Sequence, residues 1–148
     1  MGYLCFMGDS VSPNMRLFVY GSLRSGFQHA AYQYIRDYFI FQGAATVKGL
    51  LYDLGNYPAA IPTQSENFIK GELYLLRNED EFGWAMGQLD DYEGVNAEIG
   101  EIALYKRAIA TVLINGQTTD AWIYWYNGVV SDKPVITSGD ILDYLKKK

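Results

Sequence analysis

Residues 67 to 76, NFIKGELYLL, alternate along the chain. Ile69, Leu73 and Leu75 fall on one side, Lys70 and Glu72 on the other. A period of two is the mark of a strand with one buried face. The same reading predicts a strand from Met15 to Tyr20 and β structure from Phe39 to Asp53, interrupted at Gly43 and Gly49. Two more strands are predicted at Ile102–Ile114 and Thr118–Tyr126, joined through Asn115-Gly116-Gln117. The Asn-Gly pair favours a tight hairpin because both residues tolerate positive φ. GNYPAAIP, residues 55 to 62, is punctuated by glycine and proline and predicts a loop or a bent edge. Helical spacing appears in three places. Gln28–Tyr38 puts Ala30, Ala31, Tyr34 and Ile35 on one side, Asn78–Tyr92 carries the clearest stripe, and Ser138–Lys147 closes the chain with Ser138 as its N-cap.

Strands outnumber helices and do not alternate strictly with them. This predicts an α+β fold, a small mixed barrel-like sheet with a few peripheral helices, and not a doubly wound one. Residues 15–148 read as a single domain. Residues 1–14 start apolar, turn polar and reach Pro13 just before Met15, so they read as an N-terminal extension, non-native or flexible, outside the functional argument.

Composition narrows the function classes. Aromatic residues make up 16% of the chain and 13 residues are tyrosine, a side chain suited to strands and to the walls of small-molecule sites. The formal net charge is -5, and the only basic run is Lys146-Lys147-Lys148. That run reads as a helix end complementing its dipole, and the charge excludes a nucleic-acid footprint. A single cysteine, Cys5, excludes an intrachain disulfide, and a single histidine, His29, excludes the usual Cys/His zinc site. No apolar run reaches the length of a membrane span, and the expected location is the cytoplasm.

Two stretches carry candidate chemistry. The first is NEDEFGWAMGQLDDYEG, residues 78 to 94. Asn78 can cap the helix, Glu79, Asp80 and Glu81 suit its first turn, and Gly94 can end it. Phe82, Ala85, Met86 and Leu89 form the apolar stripe. At 3.6 residues per turn Glu93 falls on that stripe, Asp91 points away, and Asp90 lies between. Burial and the negative end of the helix dipole both disfavour ionisation of Glu93. Such a residue is either a general base suited to neutral pH or a structural glutamate held by Arg107, Lys106 or a tyrosine hydroxyl.

The second is FVYGSLRSG, residues 18 to 26, where a strand runs into a glycine-bracketed loop. The spacing Gly21 to Gly26 fits a phosphate-binding loop, but Phe27 stands where the lysine is required. Ser22 lacks the surroundings of a nucleophile elbow. What remains is a nest of backbone N–H groups able to hold a small anion such as a carboxylate, or a plain tight turn.

VYGSLRSG, GLLYDLGNYPA, GELYLL, LDDYEG, YKRAIATV and AWIYWY occur in that order between Met15 and Tyr126. In that order and spacing the chain resembles the γ-glutamylcyclotransferase-like family. The resemblance implies a small β-barrel-like sheet with a few helices and an enzyme that needs no cofactor or metal. Its small-molecule γ-glutamyl substrate would be cleaved by its own α-amine, which attacks the γ-carbonyl and yields 5-oxoproline and a free amine. It further implies that Glu93 is the catalytic acid/base and that Tyr20, Gly21, Ser22 and Leu23 form the substrate loop. Gly55 and Tyr57 would wall the pocket, with Tyr105, Arg107 and Tyr124 as further substrate-binding positions. Arg24-Ser25-Gly26 after Leu23 resembles the γ-glutamylamine branch more than the glutathione-degrading one, which typically carries YGSLMW. The alternative is a non-catalytic small-ligand domain on the same fold.

Overall fold

The computed structural model describes residues 15–21, 30–55, 58–92 and 105–147. In chain order these form β1 (Arg16–Val19), α1 (Ala30–Tyr38), β2 (Phe39–Asp53), β3 (Pro58–Pro62) and β4 (Phe68–Leu76). A 3-10 turn, Glu79–Glu81, then leads into α2 (Phe82–Tyr92), followed by β5 (Tyr105–Ile114), β6 (Gln117–Tyr126) and α3 (Ile141–Lys147).

The six strands lie in the order β3-β2-β4-β1-β6-β5, and β2 also pairs with β5. Five strands therefore close on themselves, as the α+β barrel expected from the sequence requires. Closure depends on the 15-residue β2. One edge pairs with β4 from Phe39 to Lys48. The other edge is divided, with Thr46 and Val47 facing β5 and Gly49–Asp53 facing β3. All pairs are antiparallel except β1 with β6, where Leu17 lies opposite Trp122. This makes the sheet mixed.

Alternation along the strands sorts side chains into two layers. Phe18, Val47, Ile69, Leu73, Val112 and Ile123 share one buried cluster. Leu17, Val19, Tyr74, Leu76 and Tyr124 share a second with Ile35 of α1 and Ala85, Met86 and Leu89 of α2. The first cluster fills the barrel, and the second lies between its wall and the two helices. β1 is buried on both faces, with Leu17 at 0% and Phe18 at 1% exposure.

Gly71 of β4 is required by this packing. A Cβ there would stand 2.2 Å from the Val19 carbonyl oxygen and 2.7 Å from Phe18 Cζ. Gly71→Ala should cost about 3 kcal/mol by overpacking, read as an unfolding midpoint lower by roughly 6–12 °C in a thermal melt. An unchanged midpoint would show that β1 and β4 can separate at no cost.

Some expectations are met and others need correction. Of the two alternatives for GNYPAAIP, the edge forms, because Pro58–Pro62 pairs with β2 as an edge strand. The edge position tolerates the two prolines, which cannot donate to a ladder. β2 is one continuous strand; only Gly43 interrupts its register, with φ +146 at a bulge after Phe41. Glu72 is not on a solvent face. It is buried and accepts a hydrogen bond from the Tyr74 hydroxyl at 2.8 Å, because both faces of β4 are covered from Gly71 onward, while Phe68 and Lys70 stay exposed. The cap of α3 is Asp140, whose Oδ1 accepts from the N–H of Leu142 at 3.0 Å, while Ser138 Oγ accepts from the Asp140 N–H at 3.2 Å. Asn78 caps as expected, accepting from the Asp80 N–H at 3.0 Å. Among the described residues no helix is long and apolar enough to cross a membrane.

Candidate active site

The predicted site positions that are described fall in two groups. The first gathers where β1 ends. Tyr20 is buried in the barrel cluster, and its hydroxyl donates to the Tyr124 carbonyl of β6 at 2.5 Å. Gly21 follows, and a Cβ there would stand 3.3 Å from Pro58 Cγ. The Tyr105 hydroxyl of β5 donates to the Pro58 carbonyl at 2.7 Å, and its ring meets Tyr126 edge-on at 5.5 Å. Gly21 and Tyr105 thus converge on the first residue of β3.

Gly55 stands three residues before β3 in the chain. Its φ is +104, a conformation that costs glycine little. Its N–H donates to Asp53 Oδ1 at 2.7 Å, and Asp53 Oδ2 accepts from the Tyr144 hydroxyl at 2.7 Å. The closing helix α3 therefore ties down the start of the predicted pocket wall.

The second group lies between α2 and the barrel. Asp90 is 8% exposed. Its Oδ1 accepts from Arg107 Nε at 2.8 Å and its Oδ2 from Arg107 Nη2 at 3.1 Å. Oδ1 also accepts from the Tyr124 hydroxyl at 2.8 Å. Arg107 and Tyr124 are cross-strand partners on β5 and β6. The guanidinium lies 4.2 Å from the ring centroid of Trp122, near the range of a cation–π contact with a partly desolvated cation. The two-pronged pairing fits the planar fork of arginine, which a lysine could not reproduce.

Of the ten predicted site positions, Tyr20, Gly21, Gly55, Tyr105, Arg107 and Tyr124 are described. Ser22, Leu23, Tyr57 and Glu93 lie outside the described residues, as do Arg24 and Gly94. Arg107, a sequence candidate for pairing with Glu93, is turned toward Asp90. Asp90 itself is the residue that the helical count missed. Among the residues whose side chains are described, the buried face of α2 is Ala85, Met86, Leu89 and Asp90, a broader face than the narrow stripe from which the count started. Asp90 is four residues after Met86, and that spacing was the available signal.

A family model described as "Gamma-glutamyl cyclotransferase, AIG2-like" matches residues 17–143. The Gamma-glutamylcyclotransferase family protein YtfP of Escherichia coli strain K12 is 32% identical over 133 residues, covering 87% of this chain and 97% of its own. The chain belongs to the γ-glutamylcyclotransferase, AIG2-like family. Solved structures agree on the fold. An AIG2-like protein from Mus musculus superposes with a TM-score of 0.65 at 20% identity, covering 85% of this chain and 88% of that one. YkqA from Bacillus subtilis gives a TM-score of 0.65 at 24% identity, covering 91% of this chain but 43% of its own.

Proposed function

We propose that this chain is a cofactor-independent cyclotransferase of the cytoplasm that acts on γ-glutamylamines. The α-amine nitrogen of the glutamyl group attacks its own γ-carbonyl carbon. A C–N bond forms within the new five-membered ring, the C–N bond to the leaving amine breaks, and the products are 5-oxoproline and the free amine. Glu93 takes the proton that the α-amine gives up and returns one to the departing nitrogen. Because the reaction is intramolecular, holding the glutamyl chain folded supplies much of the acceleration.

The observation that carries this reading is the family match across residues 17–143, which includes the Leu-Asp-x-x-Glu-Gly stretch ending in Glu93 and Gly94. The Tyr20–Leu23 loop would hold the γ-glutamyl moiety through its backbone N–H groups. Gly55, Tyr57 and Tyr105 would wall the pocket, and the convergence of Gly21 and Tyr105 on Pro58 supports placing them in one site. The amine branch is supported by Arg24-Ser25-Gly26 after Leu23.

The test is 5-oxoproline release, followed by mass spectrometry, from γ-glutamyl-amino acids, ε-(γ-glutamyl)lysine, simple γ-glutamylamines and glutathione. Release from the amines ahead of glutathione is the expected result. Glutathione as the best substrate would overturn the branch, and no release from any member would turn the reading to a ligand-binding domain.

A further inference from the structure

The ion pair of Asp90 lies in the last turn of α2, immediately before the proposed acid/base. α2 has 11 residues, too short to be stable by itself, so packing must hold it. Among the residues whose side chains are described, its buried apolar anchors are Ala85, Met86 and Leu89. Asp90 adds an anchor one residue further, and it is charged, doubly hydrogen-bonded to Arg107 and capped by the Tyr124 hydroxyl. Both partners stand on adjacent strands of the barrel wall.

The connection continues. The backbone carbonyl of the same Tyr124 accepts the hydroxyl of Tyr20, the residue that opens the glycine-bracketed loop. One residue of β6 thus ties the end of α2 to the beginning of that loop. Glu93 follows Asp90 by three residues, and three peptide units span at most about 10 Å. Whatever fixes Asp90 therefore restricts Glu93.

We propose that Asp90 is a positioning residue: through Arg107 and Tyr124 it locks the last turn of α2 to β5 and β6, and so sets where Glu93 stands relative to the Tyr20 loop. This rests on the reading of Glu93 as the acid/base. It also gives Arg107 and Tyr124 a role different from direct substrate contact. Their polar atoms serve the helix, and the substrate feels them through Glu93. Misplacing a reacting group by about 1 Å can cost on the order of 100-fold in rate, so loosening the clamp should act on turnover more than on binding.

The experiment compares kcat and KM for the best γ-glutamyl substrate in the wild-type chain and in Asp90→Asn, Tyr124→Phe and Glu93→Gln. Each is assayed well below its own unfolding midpoint, with the fold checked by circular dichroism. Asp90→Asn and Tyr124→Phe should lower kcat about 10- to 100-fold, with KM within about threefold. If Asp90→Asn does not fold, Tyr124→Phe decides, because it deletes one hydroxyl and leaves the Arg107 pair intact. A raised KM with unchanged kcat would overturn the inference in favour of direct substrate contact. Wild-type kcat in the folded variants, with Glu93→Gln inactive, would overturn it alone and leave the cyclotransferase reading standing. Absence of 5-oxoproline from the wild-type chain, or full activity in Glu93→Gln, would overturn that reading and this inference together.

Discussion

Glu93→Gln should reduce 5-oxoproline release by about 100- to 10,000-fold, the range that a positioned general acid/base contributes. The α-amine of a γ-glutamyl compound is mostly protonated at neutral pH and cannot attack until a base relieves it of a proton. The leaving nitrogen is a poor leaving group until it receives one. In the proposed mechanism a single carboxylate serves both events, so its amide isostere should fail at both. Glutamine keeps the size and most of the hydrogen-bonding shape of glutamate. The fold and the affinity for γ-glutamyl ligands should therefore persist, with calorimetry giving a Kd within a fewfold of the wild type. Turnover at the wild-type rate would remove Glu93 from the mechanism. Ser22→Ala as the crippling change would point instead to acyl transfer through the loop serine.

The second large effect concerns stability. Asp90→Ala leaves the Arg107 guanidinium partly buried without its carboxylate and takes the acceptor from the Tyr124 hydroxyl. Breaking a buried pair from one side costs about 3 kcal/mol or more, because the remaining charge loses its partner. The side chains of Arg107 and Asp90 are 21% and 12% exposed, so little water can substitute. The unfolding midpoint should fall by roughly 6–12 °C. The double replacement Asp90→Leu with Arg107→Met should recover much of the loss, since it leaves neither charge behind. Equal losses in single and double variants would mean that packing, not the ion pair, holds α2 to the barrel.

Much of this fold was legible in local patterns. Asn115 and Gly116 take φ +52 and +77, and the strands they join pair from Ile114 with Gln117 to Tyr105 with Tyr126. A two-residue turn of that chemistry has few alternatives. The strand at Phe68–Leu76 followed from its alternation, but the solvent face assigned to Glu72 did not survive. Alternation reports which residues share a face, and only the neighbouring layers decide whether that face is covered. Glu72 lies opposite Val19 on one side and Ala44 on the other, in a strand flanked on both edges.

The candidate site divides in the same way. The loop after β1 and the end of α2 stood out because glycine spacing and helical periodicity are properties of consecutive residues. The partnership of Asp90 was invisible. Arg107 is 17 residues away along the chain and Tyr124 is 34 away, and no local rule relates them. Tyr20 and Tyr124, 104 residues apart, meet only because β1 and β6 lie side by side in parallel.

By itself the sequence determined the elements and their capacities: which runs extend, which coil, where the chain turns, and which carboxylate and which loop are worth watching. These depend on dihedral preferences and on short-range periodicity, which act over a few residues. The tertiary structure decided closure of the barrel through the divided edge of β2, the recruitment of Pro58–Pro62 as an edge strand, and the choice of Asp90 as the partner of Arg107. Those outcomes depend on distances between residues far apart in the chain. Such distances are set only when the strands pair and the buried faces of α1 and α2 settle on the barrel wall.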